Sequence, residues 1–268
     1  MRILIAEDNE TVQKLLTEVL ESRGHSIVSV ADGHEALAAF AHESFDVVLL
    51  DEEMPRMNGL EATRAIRQKE PSAGKHQRIV GMTGNPTEEN EERYLEAGMD
   101  AILPKPICME RLFQAIESAG SMPGEVASAQ PGSAQPVAAS EAVALHLRRT
   151  TGGNEKLVRS LVKTFLSDAP KKISTIRHAI ANRDAERLAS AAHSLKGSLD
   201  IFDAEEAATI ARNLEAMGRA RNLNGAKDKI HTLEEELATL KRHLLVLQSA
   251  MKPGAQPRRR RSRSRRKR

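Results

Sequence analysis

Residues 45–51 read FDVVLLD, a short and almost wholly apolar run that stops on an acid. The run is too short for a buried helix and holds two β-branched valines, so it predicts a strand covered on both faces, the centre of a parallel sheet. Outward from it, RILIA (2–6), SIVSV (26–30), RIVGMT (78–83) and DAILP (100–104) supply four more strand candidates. TVQKLLTEVLESRG (11–24), GHEALAAFAHE (33–43), GLEATRAIRQKE (59–70), TEENEERYLEAG (87–98) and MERLFQAIESAG (109–120) lie beside them with apolar residues at helical spacing, and three of these close on glycine. Strands alternating with helices require crossover connections. The expectation is an α/β domain over residues 1–119, a (βα)5 doubly wound parallel sheet.

Residues 120–140 are dominated by Ala, Ser, Gly and Pro, the composition of a flexible linker. Beyond them strand signals vanish. Residues 141–251 read as amphipathic helices broken at TTGGN (150–154), ANRD (181–184) and RARNLNG (219–225), which predicts an all-α four-helix bundle. The last helix spaces Ile230, Leu233, Leu237, Leu240, Leu244, Leu247 and Met251 alternately three and four apart. That stripe suits a coiled-coil dimer or burial within its own domain, and the other amphipathic helices beside it favour burial.

The 268 residues carry a net charge of +3, but the charge is uneven. RRRRSRSRRKR (258–268) holds nine basic residues and no acid, leaving 31 basic against 37 acidic side chains before it. Residues 252–268 are expected to form a disordered basic tail with weak, salt-sensitive attraction for acidic partners or nucleic acid. The basic balance of the whole chain is therefore no sign of a nucleic-acid-binding surface on the acidic remainder. One Tyr, no Trp and five Phe argue against a stacking platform for single strands. The single Cys108 excludes a disulfide framework and points to a reducing compartment, and no apolar run approaches a membrane span, so a cytoplasmic protein is expected.

In a doubly wound sheet, chemistry gathers beyond the carboxyl ends of the strands. Strand one runs into Glu7 and Asp8, strand three into Asp51, strand four into Thr83, and strand five into Lys105 before a proline. Clustered carboxylates repel unless a hard cation joins them, and oxygen ligands suit Mg²⁺. A carboxylate beside that cation can attack phosphorus to give an acyl phosphate. Asp51 is the expected nucleophile, Asp8 the direct metal ligand, and Glu7 a ligand through water. Thr83 and Lys105 would hold phosphoryl oxygens. An aspartate-nucleophile phosphatase of the haloacid dehalogenase class uses similar groups, but it requires D-x-D, and this chain reads DEE at 51–53.

IAEDN (5–9), LLDEEMPRMNGLEATRAIR (49–67), GMTGN (81–85) and LPKPI (103–107) resemble, in order and spacing, the receiver domain of two-component response regulators. The resemblance implies that the Glu53 backbone carbonyl is a further metal ligand and that Asp51 takes phosphate from a phosphohistidine. Ile102 stands where that family often has an aromatic switch residue. The side chain of Glu53 is expected to look over the site.

A second patch lies in AAHSLKGS (191–198). Leu188, Ala192, Leu195 and Leu199 form one helical stripe, and His193 falls about 140° from Leu188 at 3.6 residues per turn, so it is expected to face outward. A neutral imidazole is a phosphoryl acceptor, Lys196 can balance arriving charge, and Gly197 admits another backbone. Taken alone, the patch equally suits a solvated surface histidine. AERLASAAHSLKGSLDIFDAEEAATIARNLE (185–215), however, resembles a histidine-containing phosphotransfer (HPt) domain, which implies that His193 is phosphorylated. Asp203 departs from the glycine common at that position. His25, His34, His146 and His178 have no such surroundings. The chain contains neither a P-loop nor the glycine and asparagine boxes of a kinase.

Together these features resemble the C-terminal half of a hybrid sensor histidine kinase. They imply a phosphorelay intermediate without ATP-dependent kinase activity, whose partners are a sensor histidine kinase and further receiver or HPt proteins. The other reading is a binding module in which phosphorylation only reshapes a surface.

Overall fold

The computed structural model describes residues 1–73, 76–84, 86–117 and 139–251. Of the linker expected at 120–140, residues 120–138 lie outside them, as does the tail expected at 252–268, while 139–140 belong to a helix. All five strands form where the residue pattern places them: β1 (Arg2–Ala6), β2 (Ser26–Val30), β3 (Val47–Asp51), β4 (Arg78–Thr83) and β5 (Ala101–Pro104). They pair in parallel in the order β2-β1-β3-β4-β5. β3 is buried at every position and sits centrally, as its unbroken apolar run requires. The edge strand β2 is buried at none.

Alternation along the strands separates two cores. Ile3, Ile5, Val47, Leu49, Val80 and Met82 face one side with α1 (Glu10–Ser22) and α5 (Met109–Glu117). Leu4, Ala6, Val48, Leu50 and Ile79 face the other with α2 (Gly33–His42), α3 (Gly59–Ala73) and α4 (Glu88–Ala97). The crossover from β1 to its two neighbours in the sheet, β2 and β3, opens the crevice at the ends of β1 and β3, where Glu7, Asp8 and Asp51 lie.

The second half holds five helices among the described residues. Four form a closed bundle: α7 (Glu155–Ala181), α8 (Ala185–Asp200), α9 (Glu205–Arg219) and α10 (Ala226–Ala250), with α6 (Ala139–Thr150) packed on α10 and α7. Ile230, Leu233, Leu240 and Leu244 of α10 are buried in the bundle, with Leu237, Leu247 and Met251 packed against them. The stripe therefore serves its own domain.

Two details depart from the residue pattern. The chain breaks between α8 and α9 at residues 201–204, where no Gly or Pro signals it; Asp203 makes the turn with φ of 54°. That is the left-handed region that favours glycine, and Asp tolerates it better than most side chains. Secondly, the helical region begins at Ala139 rather than 141.

The two halves are docked. α1 packs on α7 and α8, and its apolar residues Val12, Leu15 and Leu16 belong to the same buried cluster as the bundle interior.

Candidate functional site

The first site is built at the strand ends. Asp51, the last residue of β3, and Glu7, the first beyond β1, are each 1% exposed. Lys105 follows β5 and lies 2.8 Å from both Asp51 Oδ2 and Glu7 Oε2. Its backbone N–H donates to the Thr83 carbonyl at 2.7 Å, which ties the ends of β4 and β5 together. Carboxylate oxygens of Glu7, Asp8 and Asp51 come within 4.8 Å of one another. Burial and the nearby Glu7 push the Asp51 carboxyl above the usual carboxylate range, against the pull of Lys105. Burial, then Asp51, raises Asp8 to about 6. Burial works against the Lys105 ammonium, but Asp51 and Glu7 outweigh it and raise its pKa.

Three acids thus share one lysine. The excess negative charge is what a divalent cation would relieve, and Asp8 Oδ1 is buried with no hydrogen-bond partner, an atom suited to a metal. The residues fit Mg²⁺. Thr83 does not reach into this cluster through its hydroxyl, which donates to Glu52 Oε2 at 2.5 Å and lies 2.9 Å from the Tyr94 hydroxyl. Glu53 N donates to Asp51 Oδ1 at 3.4 Å.

The second site faces the first. Leu188, Ala192, Leu195 and Leu199 point into the bundle as expected, and His193 points away from them. It is nevertheless only 6% exposed, and Lys196 8%, because the receiving surface of the first half covers both. The expectation of a solvent-facing histidine is corrected accordingly: helical phase tells which side of a helix turns from its own core, not what then packs on that side. A Cβ added to Gly84 would lie 3.2 Å from Lys196 Nζ and 3.9 Å from His193 Cε1. A Cβ on Gly197 would lie 3.1 Å from Asn9 Nδ2, so this glycine does admit another chain segment.

Asn9 fixes the register of the two halves. Its Oδ1 accepts from Thr11 N and Val12 N, capping α1, and from Ser198 Oγ at 3.0 Å. Its Nδ2 donates to the Ser194 carbonyl at 2.5 Å. Lys172 of α7 donates to the same carbonyl at 3.2 Å.

His193 Nδ1 lies 3.0 Å from Glu215 Oε1 and 3.4 Å from Glu53 Oε2. A proton on Nδ1 shared with these carboxylates leaves the lone pair on Nε2. Burial alone would lower the His193 pKa, but the bond to Glu215 and the charges of Glu53 and Asp51 raise it. Lys196 Nζ donates to Glu215 Oε2 at 3.0 Å, and Arg219 is paired with both Glu215 and Glu53. Between the halves, Asp8, Glu53, Asn58, Ser190, His193 and Arg219 help line a cleft of about 360 Å³.

Sequence reasoning missed Glu215, Arg219 and the docking role of Asn9. Glu215 carried a signal: it is an acid on the face of α9 that buries Ala208, Ala211 and Leu214. Arg219 stands four residues after Glu215 and Asn9 precedes α1 as a cap, both local signals, but neither spacing reveals the contact each makes across the two halves, to Glu53 and to Ser194 and Ser198.

Comparison with known proteins finds a family for each half. Residues 3–117 match the response regulator receiver domain family and residues 160–243 the Hpt domain family. The hybrid signal transduction histidine kinase I of Dictyostelium discoideum is 39% identical over 123 residues, covering 44% of this chain and 7% of its own length. The sensory/regulatory protein RpfC of Xanthomonas campestris pv. campestris is 27% identical over 242 residues, covering 88% of this chain and 33% of its own. The chain therefore spans a third or less of these two relatives. A solved receiver domain of the sensor histidine kinase PA1611 of Pseudomonas aeruginosa PAO1, with a magnesium ion coordinated in its active site cleft, is 34% identical. It aligns with 44% of this chain and 98% of its own at a TM-score of 0.39. Among the described residues no helix is long and apolar enough to cross a membrane. The chain is a response regulator receiver domain, residues 3–117, joined to an Hpt domain, residues 160–243.

Proposed function

We propose that this chain is a two-component phosphorelay intermediate in which Asp51 accepts a phosphoryl group from a phosphohistidine and His193 carries it to or from a receiver aspartate. The observation that carries the reading is a single cleft bordered by Asp8 and Glu53 on one side and by His193 and Arg219 on the other. A sensor histidine kinase would be the donor, and further receiver or HPt proteins the outlets. The reading places the chain in the cytoplasm, in keeping with its one free Cys108. The domain limits we favour are 1–119 and 141–251, the second extended to Ala139 by the start of α6, separated by a linker that raises the concentration of each site at the other.

In the first step an Asp51 carboxylate oxygen bonds to phosphorus as the donor's N–P bond breaks, and the donor imidazole leaves with its electron pair. In the second, His193 Nε2 bonds to that phosphorus, the acyl O–P bond breaks, and the Asp51 carboxylate is restored. Glu7, Asp8, Asp51 and the Glu53 carbonyl would hold Mg²⁺, which would neutralise charge on the phosphoryl oxygens. Lys105, already between Asp51 and Glu7, would follow the new negative charge. Thr83 would exchange Glu52 for a phosphoryl oxygen. Glu215 would keep the Nδ1 proton in place, and Lys196 would offset the charge arriving at His193.

Labelling with acetyl phosphate and Mg²⁺ tests this. Wild type should acquire both base-labile acyl phosphate and base-stable phosphohistidine. Asp51→Ala should lose all label, and His193→Gln should lose the base-stable fraction alone. Absence of label in wild type would refute the receiver assignment; base-labile label alone would refute transfer to His193 within the chain.

A further inference from the structure

Charged side chains ring His193, and one of them belongs to the other domain. Glu215 lies 3.0 Å from Nδ1 and Glu53 3.4 Å, Lys196 donates to Glu215 at 3.0 Å, and Arg219 bonds Glu215 at 2.6 Å while pairing with Glu53. With the imidazole neutral, two carboxylates meet two cations, and the balance holds only while the receiver is docked. Without Glu53 the Hpt face presents Lys196 and Arg219 against Glu215 alone.

Glu53 is not needed as a side chain to build the acid pocket. Glu7, Asp8, Asp51 and Lys105 form it, and Glu53 stands two residues beyond Asp51 at the rim. The Glu53 and Arg219 side chains remain 33% and 52% exposed even when docked. Charge pairs at such a rim discriminate between partners and set register more than they add affinity.

We propose that Glu53 and Arg219 are the specificity pair by which this Hpt domain recognises its own receiver, through a carboxylate displaced from the phosphoacceptor. A receiver with a neutral or basic residue two positions past its aspartate would leave Arg219 to Glu215 alone and dock less well. The use of the docked state rests on the phosphorelay reading, whereas the pair itself does not.

The test is a double-mutant cycle in the full chain with Glu53→Gln, Arg219→Gln and both together. One readout is amide hydrogen exchange over residues 194–198 before any phosphorylation. The other is single-turnover passage of label from Asp51 to His193. Each single substitution should speed exchange and slow transfer by about three- to ten-fold, and the double variant should be no worse than the worse single. Glu53→Asp, which keeps the charge, should recover most of the loss. A double variant whose effect is the product of the singles, or a Glu53→Gln chain with unchanged exchange, would overturn the pair. If exchange follows the cycle while wild-type label never leaves Asp51, the pair is upheld and the relay reading fails. If label moves equally fast and exchange is unchanged in all four proteins, the relay reading survives and the pair is refuted.

Discussion

Replacing Gly197 with alanine sets two effects of opposite sign against each other. Inside α8, alanine is favoured over glycine by roughly 0.8–1 kcal/mol, so the bundle by itself should gain stability. At the domain interface the new Cβ would lie 3.1 Å from Asn9 Nδ2 and 3.8 Å from Val12 Cγ2. Asn9 has little freedom to retreat. Its Nδ2 donates to Ser194 at 2.5 Å, and its Oδ1 accepts from Thr11 N at 3.0 Å, Val12 N at 3.4 Å and Ser198 Oγ at 3.0 Å. Each buried bond is worth about 0.5–1.5 kcal/mol, so stretching one or two of them weakens docking by roughly 1–2 kcal/mol. That corresponds to about a 5- to 30-fold loss of the docked state. Hydrogen exchange reads both effects at once. In Gly197→Ala, amides of α9 and α10 remote from the receiver should exchange more slowly, while those at the start of α1 and over 194–198 exchange faster, and label should reach His193 more slowly. Unchanged protection at the interface would refute the argument, as would a loss of protection throughout the bundle.

Gly218→Ala should destabilise the bundle by about 1–3 kcal/mol, the usual range for overpacking, because its Cβ would meet Ala185 O and Ala189 N at 2.6 Å. A lowered urea midpoint checks this, and an unchanged one would mean that α8 and α9 can separate freely. Glu215 supplies a pH test: burial alone would raise its pKa, yet His193, Lys196 and Arg219 hold it at about 2 against an ordinary 4.5. Its charged form therefore contributes stability that is complete above 4.5 and lost as the pH falls toward 2. Acid unfolding followed by circular dichroism should show a shallower loss across that window in Glu215→Gln, and identical acid limbs would contradict it. Asp203→Gly should raise the melting temperature, since relief of the left-handed backbone at φ 54° is worth roughly 1 kcal/mol. Its distant contact with His146, at 3.9 Å, offsets little of that, and a lowered melting temperature would show that the Asp203 side chain matters more than its backbone.

Much of the fold was legible because burial imposes periods on a sequence. The unbroken apolar run of β3, the half-buried edge at β2 and the stripe of α10 each follow from which faces water can reach. The break at residues 201–204 was not legible, since its turn is made by Asp203 in a conformation usually reserved for glycine. The acid pocket was legible for a different reason. Parallel strands deliver their carboxyl ends to one side, so residues that follow separate strands must converge there. Thr83 and Tyr94 show where that reasoning stops: strand position places Thr83, but its hydroxyl turns to Glu52 and Tyr94 rather than into the acids.

By itself, then, the amino-acid order determined the sheet, the bundle, the four strand-end groups and the side of α8 on which His193 lies, because each depends on neighbours at fixed local spacing. Only the tertiary structure decided that His193 is covered, that Glu215 holds its Nδ1, that Asn9 caps α1 and grips Ser194 together, and that Arg219 meets Glu53. Those contacts join residues up to 189 positions apart. The bond from Glu215 depends on how α8 and α9 pack, and the contacts across the halves on how two separately folded surfaces complement each other; no local period records either.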